Sequence, residues 1–272
     1  MKKLVLLSMI VLSAFSVVNA ENSAPKDLGV TLDLTYMSRY IWSGFDFYKQ
    51  NHAAIEPKVT IDLWGSGFGI SVLNNRRIGS GSENFERLEY TVFYGNKLFA
   101  GENYQTNYTV GWTYYQFPEL SRNDLNMQEF FGAFAFPKLL PCGVVPSYTM
   151  VAMYPAEGSS AMARDAAGWL HILGLNYSIK NMIPDRPEQT IDLSTQLVYN
   201  DGVGGTTFGT TFGDGRNDVD SDLSHAVFGL STKFKITEKM SFTPGAYYQK
   251  SFEDSVNTSD EYWTSLTLSY TF

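Results

Sequence analysis

Apolar and polar residues alternate with a period of two along most of the chain. The clearest stretch is the C-terminal one. There Tyr262, Leu266, Leu268, Tyr270 and Phe272 fall on one face and Trp263, Ser265, Thr267, Ser269 and Thr271 on the other. Residues 28–36 set Leu28, Val30, Leu32, Leu34 and Tyr36 against Gly29, Thr31, Asp33 and Thr35, and residues 55–63 set Ile55, Val59, Ile61 and Leu63 against Glu56, Lys58, Thr60 and Asp62. Similar alternation runs through 191–199 and 224–236. Successive strand side chains point to opposite faces, so each of these stretches predicts an amphipathic strand. No segment carries a convincing helical period. With weaker stretches included, the pattern predicts twelve strands: 28–36, 54–63, 67–75, 85–94, 104–116, 127–136, 144–154, 168–177, 190–199, 224–236, 240–249 and 262–272. Ten or fourteen strands stay open.

The connections after odd-numbered strands in that series are long, the longest running through 200–223, and those after even-numbered strands are short. One end therefore carries long loops, and the other carries short turns and both termini, the arrangement of an outer-membrane barrel. The predicted fold class is all-β, a transmembrane antiparallel up-and-down β-barrel. A soluble lipocalin-like barrel or a β-sandwich alternates with the same period. Aromatic strand ends at Tyr36, Trp64, Tyr104, Tyr199, Tyr262, Tyr270 and Phe272 favour the membrane, because they fit girdles at two lipid interfaces.

Residues 1–20 open with Lys2 and Lys3, continue as an apolar run from Leu4 to Val18, and close on Val18-Asn19-Ala20, the plan of a secretory signal peptide. The expected layout is a signal peptide over 1–20, a short periplasmic segment over 21–27 and one barrel domain over 28–272, located in the outer membrane. No later apolar run reaches the length of a spanning helix. Composition narrows the choice further. With 20 Lys+Arg against 28 Asp+Glu the net charge is −8, which argues against a nucleic-acid partner. A hydrophobic content of 44% is too high for disorder, yet too interrupted for a helical membrane protein. The single cysteine, Cys142, excludes an intramolecular disulfide and any zinc site needing two cysteines.

Two resemblances follow from particular residues. The last strand, ending on the aromatic Phe272 in phase with alternating apolar positions, resembles the C-terminal signature of bacterial outer-membrane proteins, which implies that the outer-membrane assembly machinery is a partner. The segments LTYMSRYIWSGFD, WGSGFGISV, LEYTVFYGNK, NYTVGWTYYQFP and NMQEFFGAFAFP together resemble the TorF-type porin family across about half of the chain. That resemblance implies the barrel fold and export. Arg39 stands where the family has Asp and Ser43 where it has Arg, so no site residue is carried over.

Some outer-membrane barrels are enzymes, and their constellations are absent or incomplete here. None of His52, His171 and His225 is followed by the x-Ser of the outer-membrane phospholipase pattern, and neither the Asp-His nor the Asp-Asp pair of omptin-like proteases occurs. Ser224-His225 pairs a nucleophile with a base in sequence, but neighbours on a regular strand face opposite ways. The loop after the ninth strand carries Asp214, Asp218, Asp220 and Asp222. Counted from Asp218 it lacks the Gly and Glu of an EF-hand, which leaves a looser divalent site at Asp218, Asp220 and Asp222 or a solvated acidic loop. Tyr114, Tyr115 and Phe117 could stack on a sugar or belong to a girdle. No cofactor is expected.

The faces assigned to the lumen carry Asp33, Glu56, Asp62, Glu89 and Asp192 as acids and Lys58, Arg87 and Lys233 as bases. Opposed charges across a polar lumen make a channel for small hydrophilic solutes, leaning to cations because acids dominate. The alternative is a barrel whose interior these pairs fill, structural or adhesive in role, with the long loops meeting a partner. The surrounding partners expected are outer-membrane lipid and lipopolysaccharide. Solute identity and oligomeric state are not encoded in the alternation.

Overall fold

The structure, a computed structural model, describes residues 27–48, 52–81, 83–120, 125–156, 166–180, 189–204 and 219–272. Residues 1–26, which hold the expected signal peptide and most of the expected periplasmic segment, lie outside the described residues. In chain order the strands are β1 (Gly29–Met37), β2 (Ile41–Trp42), β3 (Phe45–Asp46), β4 (Ala54–Asp62), β5 (Phe68–Arg77), β6 (Arg87–Leu98), β7 (Thr106–Gln116), β8 (Met127–Ala135), β9 (Val145–Pro155), β10 (Gly168–Lys180), β11 (Thr190–Asp201), β12 (Asp222–Ser231), β13 (Phe234–Lys235), β14 (Met240–Ser251) and β15 (Glu261–Thr271). All but β2, β3 and the two-residue β13 are wall strands. Each wall strand pairs antiparallel with its neighbours in the chain, and β15 returns to β1, closing a 12-strand barrel.

Closure places Thr31 opposite Thr271 and Thr35 opposite Thr267, so the first and last strands meet in full register. A closed barrel leaves no open edge, and all its backbone groups pair between strands. The start of β1, the end of β15 and the short turns share one end, called the terminal end below. The connections 38–53, 78–86, 117–126, 156–167, 202–221 and 252–260 gather at the other, the loop end.

The outward face is apolar around the whole circumference. Phe130 and Leu173 are each 57% exposed, and Leu34, Phe68, Val92, Leu175, Phe228, Leu230, Leu266 and Leu268 join them. A continuous apolar belt of this kind is not stable in water, and it matches the lipid-facing band of a membrane barrel. Aromatic rings border the belt at both levels. Phe68, Tyr94 and Tyr108 stack in sequence toward the terminal end, with centroids 4.7 and 6.2 Å apart, while Tyr248 and Tyr262 stack at 4.7 Å toward the loop end.

Strand boundaries depart from the sequence pattern where polarity hides pairing. β6 continues to Leu98 because Asn96 and Lys97 pair with Tyr108 and Asn107 of β7. The stretch 224–236 is not one strand. β12 stops at Ser231, and Pro244, which has no N–H to donate, stands across from the break before the short β13 resumes.

Inside, the two halves differ. Mid-barrel and toward the terminal end the wall is lined by small and hydroxyl-bearing residues, whose side chains bond across strands: Thr35 with Thr267 at 3.0 Å, Thr91 with Thr113 at 3.1 Å and Thr31 with Thr271 at 3.3 Å. Toward the loop end the interior is a packed apolar cluster. Met127, Val151, Met153, Leu170 and Val198 from β8–β11 meet Phe117, Leu125, Val203 and Val256 from the loops.

Candidate channel and its internal plug

The connection from β1 to β4 does not project outward. As the chain leaves β1, Ser38 stays bound to β15: its N–H donates to the Thr264 carbonyl, and its hydroxyl accepts from the Thr264 N–H, both at 2.9 Å. The chain then turns inward and forms the β2–β3 hairpin, with Trp42 opposite Phe45. The two turn residues, Ser43 and Gly44, have φ of 49° and 93°, the paired positive values of a tight type I′ turn. Gly44 has a second reason to lack a side chain. A Cβ there would lie 2.6 Å from the His225 ring and 2.8 Å from Val256. Tyr40, Ile41, Trp42, Phe45, Phe47 and Tyr48 are all buried, so this first loop fills the lumen as a plug.

Polar contacts hold the plug on two flanks. At its tip the Gly44 carbonyl accepts from Gln249 Nε2 at 2.9 Å and from Asn257 Nδ2 at 3.1 Å. Asn257 Nδ2 also donates to Glu261 Oε1 at 3.1 Å, and Glu261 pairs with Arg39 at the base of the loop. On the opposite flank the Tyr48 hydroxyl donates to Asn75 Oδ1, and Asn75 Nδ2 donates to Glu56 Oε1 at 2.7 Å. At the rim nearby, Lys250 and the Ser251 N–H hold the Asp260 carboxyl below its ordinary pKa.

Arg87 stands at the centre of these contacts and is 2% exposed. Its guanidinium carbon lies 5.3 Å from the ring centre of Tyr40, 5.0 Å from Trp42, 5.1 Å from Phe47 and 5.2 Å from Tyr115. Its Nε donates to Glu89 Oε1 at 2.8 Å, and a terminal nitrogen donates to the Tyr40 hydroxyl. Burying a guanidinium costs several kcal/mol, on the order of what one good carboxylate pair returns. Four ring faces add roughly 0.5–2 kcal/mol each when desolvated. The rings also brace one another, Tyr40 against Phe47 at 6.0 Å and Trp42 against Phe47 at 5.7 Å.

The charged residues singled out in the sequence separate into groups. Glu56, Arg87 and Glu89 gather at the plug. Asp33 and Lys58 face each other across the β1–β4 ladder, below it. Asp62 belongs to the terminal-end turn, where its Oδ1 accepts from the Gly65 N–H at 2.7 Å. Asp192 accepts from Ser178 Oγ at 2.6 Å and from Thr190 Oγ1 at 3.3 Å. Lys233 lies past the end of β12 and is exposed, so it does not share a site with the others.

Several residues of this arrangement were not singled out by the alternation: Arg39, Glu129, Glu261 and the plug itself. Glu129 of β8 is 5% exposed, is bonded to Tyr115 and Thr113, and keeps one carboxylate oxygen without a partner. The signal for the plug was present in the density of aromatic residues between Tyr40 and Tyr48, a segment with no lipid to face. Tyr114, Tyr115 and Phe117 do not form one platform. Tyr114 lies on the outer face beside Tyr90, whereas Tyr115 and Phe117 are buried in the interior cluster.

Ser224 and His225 correct the expectation of opposite faces. A bulge opposite Val198 and Tyr199 breaks the alternation of β12, and Ser224 Oγ lies 2.8 Å from His225 Nδ1. The pair is 0% and 2% exposed beneath the Gly44 tip, and Ser224 Oγ also donates to the Val198 carbonyl at 3.2 Å. It supports the plug and offers no open face to a substrate.

Of the acidic-loop residues, Asp214 and Asp218 lie outside the described residues. Asp220 and Asp222 are exposed, and Asp222 Oδ1 accepts from the Leu223 N–H. Among the described residues no group of three or more His, Cys, Asp or Glu is placed to hold a metal ion.

The chain matches no known sequence family and no curated protein. Its fold is nevertheless shared. The NanC porin superposes with a TM-score of 0.51 at 11% identity, covering 88% of this chain and 98% of that one. An outer membrane channel from Pseudomonas putida F1 superposes with a TM-score of 0.50 at 12% identity, covering 92% and 97%. The likeness is one of fold.

Proposed function

We propose that the protein is an outer-membrane, porin-like channel for the passive passage of small hydrophilic solutes, leaning to cations and narrowed at its loop end by the plug. The observation that carries this reading is the contrast inside the barrel. Hydroxyls bonded across strands line the half toward the terminal end, and the loop-end half is filled by the plug, held through polar contacts, beside the apolar cluster of β8–β11. In this reading the loop end is extracellular and the terminal end periplasmic. The solute would meet Asp192 and Asp62 toward the terminal end, then the Asp33–Lys58 pair, and Glu56, Arg87 and Glu89 at the plug, with Lys233 outside at the rim. Glu129 and Glu261 add to the inward acids and favour the cation lean. Export by the leader, recognition of the Phe272 strand by the assembly machinery and kinship with TorF-type porins belong to the same reading, which includes no enzymatic turnover.

The buried plug favours a second reading, a closed barrel whose outer loops bind a partner. Single-channel recording of the refolded barrel in a planar bilayer, with the reversal potential read under a KCl gradient, separates the two. Discrete steps with a cation-selective potential that moves toward zero in Glu56→Gln support the channel. Confirmed insertion without conductance would sink it in favour of the closed barrel.

A further inference from the structure

The geometry points to a binding site for organic cations in the ring cage of the first loop, a site that the closed barrel fills with its own Arg87. Three of the four rings around the guanidinium, Tyr40, Trp42 and Phe47, ride on the loop, and only Tyr115 belongs to the wall. Arg87 is held from two independent sides, by rings on its faces and by Glu89 at its edge. When the loop withdraws, Arg87 keeps its carboxylate. The rings leave as a set braced by their own edge contacts. A cage of this kind attracts guanidinium and quaternary ammonium groups through the negative faces of its rings.

Charge points the same way. Glu56, Glu89 and Glu129 all interact with Arg87, and the one further cation among them, Lys58, leaves three carboxylates facing two positive charges; Glu129 keeps a carboxylate oxygen that is buried and without a hydrogen-bond partner. The wall therefore attracts a second cation instead of repelling it. Outside, Glu119, Asp201, Asp222 and Asp254 are exposed at the loop end and raise the local concentration of cations over that of anions. A small solute bearing guanidinium or quaternary ammonium competes with Arg87 for the rings and thereby releases the plug. The release depends on the channel reading, whereas the cage does not.

The test titrates the refolded full barrel in micelles with low-millimolar guanidinium chloride and with tetramethylammonium chloride, against KCl at equal ionic strength. Tryptophan fluorescence and calorimetric heat are the readouts. Both organic cations give saturable binding that potassium does not, and Trp42→Leu, which keeps Arg87, weakens it by about tenfold or more. Arg87→Gln, which vacates the cage, binds guanidinium about tenfold more tightly. In bilayers that variant conducts more than the parent, and guanidinium closes it again. Should Arg87→Gln fail to fold, the Arg87→Gln/Glu89→Gln variant removes both charges of the pair and gives the same readouts. Absence of saturable binding in both the parent and the vacated cage overturns the proposal, as does unchanged affinity in Trp42→Leu. A barrel that binds the cations but never conducts retains the cage and overturns the channel. One that conducts without binding them does the reverse.

Discussion

The loop-end and terminal-end halves of this barrel are built from the same strands but solve different problems. Toward the terminal end, inward threonine hydroxyls bond to each other across the ladder, and the glycines Gly69 and Gly111 lie under the rings of Phe93 and Phe131. Toward the loop end, the inward positions of β8–β11 are Met127, Val151, Met153, Leu170 and Val198, and a ring-rich loop packs against them as a core does in a soluble protein. The outer face cannot reveal this difference, because lipid demands apolar residues along its full height. The interior of a membrane barrel is thus free to be hydroxyl-lined at one level and an apolar core at another.

Removing the hairpin should break the contrast most strongly. Replacing Ile41–Phe47 by a short Gly-Ser bridge is expected to raise single-channel conductance several-fold, because the hairpin's buried rings fill the loop-end interior between Arg87 and Gln249. Unchanged conductance would mean that the loops over β8–β11 form the constriction instead.

The next largest effect belongs to the buried pair. Glu89→Ala leaves Arg87 without its carboxylate and should cost about 3–5 kcal/mol. Hydrogen exchange should then rise in the loop-end parts of β5–β7 while the β1–β15 seam keeps its protection. Uniform loss of protection would show that the two halves unfold as one unit.

A smaller change is expected where the terminal half is tightest. Gly111 lies beneath the Phe131 ring, and a Cβ there would approach Phe131 Cζ to 2.4 Å and the Val92 carbonyl oxygen to 2.8 Å. Gly111→Ala should lower stability by roughly 1–3 kcal/mol, with Phe131→Leu in the same chain restoring part of it. A shift in denaturant midpoint checks both. The smallest effect is at Lys233. Its exposed position beyond β12 predicts a reversal potential in Lys233→Gln indistinguishable from the parent, in contrast to Glu56→Gln.

Strands were legible wherever lipid enforces the outer face, as in β15, where every second residue from Tyr262 to Tyr270 points outward and only Thr264 among them is neither aliphatic nor aromatic. Legibility weakened where the interior is apolar as well. In β8 Phe130 faces out and Phe131 faces in, so both faces carry rings, and Glu129 just before them gave no sign of its burial. The plug was invisible to periodicity because an inward-folded loop has none. Its hairpin turn rests on Ser43 and Gly44, and its anchors, Gln249, Asn257 and Glu261, are brought to it only by barrel closure. The Ser224–His225 contact escaped for a related reason, since a bulge is an insertion into the ladder that alternation, read from one strand alone, does not reveal.

The plug is fastened to both sides of the place where the barrel closes. Ser38 holds it to β15 at Thr264 and Arg39 to Glu261 on the same last strand, while the loop itself grows from β1. One of these strands precedes the rest of the wall in the chain and the other follows it, so the contacts of the loop's base and tip with Thr264, Gln249, Asn257 and Glu261 wait for β14 and β15, whereas Asn75 and Arg87 can hold its other flank earlier. Joining the first strand to the last and locking the base and tip of the loop are therefore a single step of assembly. A chain halted just before that step would be an open, curled sheet with its lock already cut and no keyhole yet formed.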